Sequence, residues 1–123
     1  MSLGFDHLAI CALLFVVGLP LAAGWVPPNP LYGFRTPATQ THPRLWYAVN
    51  ARTGRDLMGV ALTLGVFTWV FPRLFPALGR DVHVGFWATT LVVGLLGVLA
   101  RGGVLLRALQ AESDPEEPPG DGA

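Results

Sequence analysis

The chain has 123 residues, enough for one domain, and is 52% hydrophobic with only 13% charged residues. Its eight basic residues are all arginine and its formal net charge is zero, which argues against a charge-driven nucleic-acid binder. The single cysteine, Cys11, excludes an internal disulfide, and His7, His42 and His83 lie too far apart for a metal-ligand spacing, so no cofactor or metal is expected.

The charges are clustered. No Asp, Glu, Lys or Arg occurs between Asp6 and Arg35. Within that gap, Leu8 to Val26 predicts a first membrane span, because nineteen helical residues cover roughly 28 Å. Pro20 predicts a kink, and Trp25 suits the membrane interface. A cleaved signal peptide is the competing reading. The segment before the run has no Lys or Arg and carries Asp6, so a retained span is expected.

The segment Pro27 to Pro37 reads P-P-N-P-L-Y-G-F-R-T-P. Its prolines fix φ and lack an N–H, so it is neither helix interior nor central strand. A spacer could be Ser and Gly; this one carries Asn29, Tyr32, Gly33, Arg35 and Thr36, which points to a built polar loop. Arg35 has a planar fork suited to a carboxylate or phosphate, with Asp56, a lipid headgroup or a peptide as candidate targets.

Pro43 predicts a helix start with Thr41 as its N-cap. Trp46, Asn50 and Gly54 then share one face at i, i+4 and i+8. This predicts a short interfacial helix with Trp46 in the headgroup layer, either turning or continuing into the second span. Asp56 reads as a helix N-terminal charge or as the partner of Arg52 or Arg55.

The second span centres on Leu57 to Phe71 and is placed at about 55–76. The third starts at Val82, is charge-free to Ala100, and is placed at about 82–106 with its arginines snorkelling. The pairs Gly18/Ala22, Ala61/Gly65 and Thr90/Gly94 permit close helix approach. Residues 112–123 are acidic, rich in Pro and Gly, and predicted to be a disordered tail. The expected fold is therefore an all-α membrane protein. Residues 1–111 form three transmembrane helices, with a structured proline-rich loop at 27–56 and a short interfacial helix between the first two.

Arginine counting gives an orientation. The first loop and the C-terminal flank carry six arginines, and the second loop carries Arg73 and Arg80. The positive-inside rule then places the loop and the C-terminus in the cytoplasm of a multi-pass inner-membrane protein.

Asn29, Tyr32, Gly33, Phe34, Arg35, Thr36, Pro37, Thr39, Trp46, Asn50 and Gly54 together resemble the signature of the SdpI family of small bacterial membrane proteins. The resemblance covers about Pro28 to Gly59, and this chain is similar to a short form carrying the signature module alone. It implies a binding role. The family's namesake protects a cell from a secreted peptide toxin and signals by holding a repressor at the membrane. A peptide toxin, a regulatory protein and membrane lipid are the partners it suggests, with no nucleic acid. No nucleophile, base or metal arrangement supports an enzyme, and no mid-span ionisable group supports a transporter. An accessory bundle without a ligand is the alternative.

Overall fold

The computed structural model describes residues 3–113. Four helices follow one another: α1 (Leu3–Ala22), α2 (Pro37–Thr41), α3 (Pro43–Leu74) and α4 (Arg80–Ser113). The protein is all-α, and α1, α3 and α4 are long and apolar enough to cross a membrane. A proline stretch and the short α2 separate the first two. Helix α3 is central, packing against α1, α2 and α4.

Several boundaries differ from the expectations. The first helix ends at Ala22, leaving Trp25 and Val26 outside it. Gly24, at φ 72°, ends it. The Trp25 N–H donates to the Pro20 carbonyl (3.0 Å) and the Gly24 N–H to Leu21 (3.2 Å). These are the two bonds of a Schellman cap, which needs a left-handed residue at that position. Thr41 does not cap the helix that follows. His42 is the N-cap, without a side-chain bond, and Thr41 Oγ1 donates back to the Pro37 carbonyl (2.8 Å). Of the two courses expected for that helix, continuation holds: α3 runs unbroken for 32 residues into the second span. The short helix is α2 instead, started by Thr36 as N-cap and Pro37. Of the expected tail, Glu112 and Ser113 still belong to α4, and 114–123 lie outside the described residues.

At 32 and 34 residues, α3 and α4 extend for about 48 and 51 Å, well beyond the ~30 Å hydrocarbon core. The charges show where the excess lies. Asp56 is the last charge before the apolar part of α3, and Arg101 the first after that of α4. Their side chains meet at 3.1 Å. Beyond this band, the first part of α3 and the last part of α4 form a head that carries the loop.

Each region has its own core. On the span side, Cys11, Leu64 and Trp87 are buried together with Leu14, Val60, Phe67 and Leu91 around them. Trp87 also stacks on His7, with ring centroids 4.3 Å apart, and its Nε1 donates to Thr68 Oγ1 (3.0 Å). In the head, Leu45, Val49 and Leu106 are buried under Phe34, Ala38, Leu105 and Leu109. Elsewhere the spans turn large side chains outward, such as Leu62, Val66, Val93 and Leu96. In a bilayer that surface faces lipid tails and needs no protein cover.

Small residues make the crossings. A Cβ on Gly54 would lie 2.4 Å from the Ala22 backbone nitrogen and 2.5 Å from the Gly18 carbonyl oxygen. The α1–α3 crossing therefore depends on bare backbone at Gly18 and Gly54. Gly94 similarly admits Val60 at the α3–α4 contact, whereas Gly65 has open space beside it.

Candidate functional site: the signature loop

The loop from Val26 to Thr41 folds back on α3, and its polar residues hold that fold. Asn29 starts it. Its Oδ1 accepts from the N–H groups of Leu31 (3.0 Å) and Tyr32 (2.8 Å). Its Nδ2 donates to the Pro27 carbonyl at 2.8 Å and to Tyr32 at 3.2 Å. A proline-rich backbone makes few of its own bonds, and one amide side chain replaces them.

Tyr32 crosses to α1, its hydroxyl donating to the Val17 carbonyl. That carbonyl adjoins the one that Pro20 leaves without an in-helix donor. Burial pushes the phenol pKa above its ordinary value of 10.0. The folded loop thus holds this proton more tightly than the unfolded chain does. Its contribution to stability is whole below that value and is lost as pH rises through the raised one. Tyr32→Phe is expected to flatten the alkaline part of the stability profile, read as helical ellipticity against pH in detergent.

Asn50 is the centre. It is buried on α3, and it grips the Phe34 peptide from both sides. The Phe34 N–H donates to Asn50 Oδ1 at 2.5 Å, and Asn50 Nδ2 donates to the carbonyls of Phe34 (3.3 Å) and Trp46 (3.0 Å). Gly33 makes this approach feasible. It sits at φ 114°, and a Cβ there would fall 2.7 Å from Asn50 Oδ1 and 3.1 Å from the Trp46 ring. With the peptide gripped, the Phe34 ring lands on Gly102 of α4, where a Cβ would stand 2.7 Å from a ring carbon.

Trp46 faces the protein interior and not the membrane interface. It is fully buried, and its Nε1 donates to the Val26 carbonyl at 2.7 Å. Thr36 and Thr39 form a reciprocal capping box: each backbone N–H donates to the other's Oγ1, at 2.8 Å and 3.2 Å. Thr39 Oγ1 also lies 3.1 Å from the Phe34 carbonyl. Pro37 opens α2.

The structure thus gathers nine of the expected residues into one folding unit: Asn29, Tyr32, Gly33, Thr36, Pro37, Thr39, Trp46, Asn50 and Gly54. Gly54 belongs to it as the seat of α1. Arg35 differs. It is exposed, and one Nη1 donates to the Pro30 carbonyl. It does not reach Asp56, which pairs with Arg52 and Arg101 instead. In the same stretch of chain Leu31 is 87% exposed and Trp25 71%. Sequence reasoning missed Gly102, which seats Phe34. The Gly102-Gly103 pair in an arginine-flanked stretch of α4 was its signal.

A family model described as the SdpI/YfhL protein family matches residues 25–106. No curated protein and no solved structure matches the chain. The matched stretch starts at the loop and ends in the head portion of α4, taking in all nine residues of the folding unit, Arg35 and Gly102. It covers well over half of the chain: this membrane protein belongs to the SdpI/YfhL protein family.

Proposed function

We propose that the protein is a non-enzymatic bacterial cell-membrane protein that binds an anionic partner through Arg35. One observation carries this reading. The other polar residues of the signature are engaged with the loop's own backbone or with α1 and α3, whereas Arg35 is exposed on a stiffened loop and, among the described residues, part of its guanidinium is unengaged. A planar fork held this way suits a carboxylate or a phosphate. Candidate partners are a peptide toxin, a regulatory protein or lipid, with toxin immunity or membrane signalling as the outcome. Arginine counting puts the loop and C-terminus on the cytoplasmic side, which favours signalling over direct capture of a secreted toxin. The self-contained bonding of the loop supports a second reading, an accessory bundle with no ligand.

The two readings separate on Arg35→Lys and Arg35→Ala. Under the binding reading both accumulate and unfold like the wild type, and both lose tolerance of the host cell to its peptide toxin, because lysine keeps the charge and loses the fork. Retained tolerance in both variants sinks it. Sidedness is tested with Leu31→Cys in a Cys11→Ala background, since Leu31 is exposed whereas Thr39 is buried. The new thiol is expected to resist an impermeant maleimide in intact cells and to react after lysis.

A further inference from the structure

A second basic site lies away from the loop, at the charge band where α3 and α4 leave the apolar region. Arg52 Nε lies 3.5 Å from Asp56 Oδ1, and Arg101 Nε lies 3.1 Å from Asp56 Oδ2. Among the described residues Oδ2 accepts no hydrogen bond, so the Arg101 contact is an ion pair. Asp56 thus lies against the Nε edges of two guanidinium groups, whose terminal NH2 groups make no hydrogen bond among the described residues. Their side chains are 45% and 57% exposed, against 17% for the carboxylate. The cluster carries one net positive charge, presented outward.

The two arginines also line one groove of about 390 Å³, walled by Ala100, Val104, Leu105 and Ala108. Its alanines let a bulky group approach the helix closely. Depth selects the occupant. Arg101 directly follows the charge-free stretch of α4, and Asp56 directly precedes that of α3, so the cluster lies at the edge of the hydrocarbon layer. The anion abundant at that depth is lipid phosphate. From this charge and placement we infer that Arg52 and Arg101, positioned by Asp56, form a binding site for the headgroup of an anionic phospholipid. The site is independent of Arg35 and stands or falls separately.

The test uses the full chain in neutral detergent, offered equal amounts of phosphatidylglycerol and phosphatidylcholine, with bound lipid counted by native mass spectrometry. One net charge at the membrane surface is expected to give about fivefold preference for the anionic lipid. Arg52→Gln/Arg101→Gln, which leaves only the Asp56 carboxylate, is expected to bring the ratio to parity or below, and Arg73→Gln/Arg80→Gln, at the other end of the bundle, to leave it unchanged. Parity in the wild type overturns the proposal, and that measurement stands even if the first double variant misfolds. An equal loss in both double variants also overturns it, by showing diffuse charge attraction. So does displacement of the lipid by equimolar glycerol 3-phosphate or by a soluble acidic peptide, which would assign the arginines to a free phosphate or to a protein.

Discussion

Gly54→Ala is expected to lower stability by about 3 kcal/mol or more, the upper part of the range for overpacked cores. The added methyl would meet backbone, with the Ala22 nitrogen 2.4 Å away and the Gly18 carbonyl oxygen 2.5 Å away. A side chain in the way could rotate; two helix backbones must separate. The alanine's better helix propensity, worth about 1 kcal/mol, does not offset this. Separation would also move α1 relative to the loop, because Tyr32 bonds to the carbonyl of Val17, which adjoins Gly18 at the crossing. Gly59→Ala is the matched control. It sits on the same helix with nothing within 4 Å of its would-be Cβ, so it should be neutral or slightly stabilising. Unfolding by dodecyl sulfate in mixed micelles, followed by helical ellipticity, measures both. Equal midpoints for the two variants would falsify the crossing as the seat of stability.

Asn50→Asp is expected to release the loop at neutral pH while leaving the helices formed. The change keeps size and shape but removes the NH2 group. One carboxylate oxygen can still accept from the Phe34 N–H, but the other then faces the carbonyls of Phe34 and Trp46, where Asn50 now donates to both. An unpaired acceptor pressed on two others costs at least the 1–3 kcal/mol of a lost buried bond, and a buried charge adds to that. The sign with pH follows. The folded loop favours the protonated acid, which can donate, so the variant's carboxyl pKa is raised on folding. The loop should close at acidic pH and open as pH rises through that raised value. Loop opening is read from Trp46, which is fully buried beneath the loop in the closed form and becomes quenchable by acrylamide when the loop lifts. Wild-type-like quenching at neutral pH would remove Asn50 from its central place.

The spans were legible because hydrocarbon tolerates no charge, and two long charge-free stretches mark that constraint directly. Their ends were not. Absence of charge says where a chain could lie in lipid and not where its helix stops. The stop after Ala22 is set by Gly24, a single left-handed residue inside an apolar run. The sequence leaves open whether α3 turns or runs on, for a related reason: the polar stretch from Arg44 to Asp56 reads as an interfacial piece, yet its buried face of Leu45, Trp46, Val49 and Asn50 is paired to a loop that hydropathy does not see. The residues of the site were legible as a pattern on the chain. Their roles required three-dimensional pairing. Trp46 looked like a depth anchor until its indole N–H was seen donating to Val26, twenty residues earlier.

The Asn50 grip on Phe34 changes what a mutational screen of this protein can mean. Replacements at the buried or bonded positions between Asn29 and Gly54 are expected to score as loss of function through misassembly of the chain, whatever the loop touches. A tolerance map would therefore trace the architecture and be mistaken for a footprint. Abundance has to be scored alongside phenotype, and the informative positions are those where the two diverge. On this geometry they are the outward-facing Arg35, Leu31 and Trp25 in the loop, and Arg52 and Arg101 at the charge band.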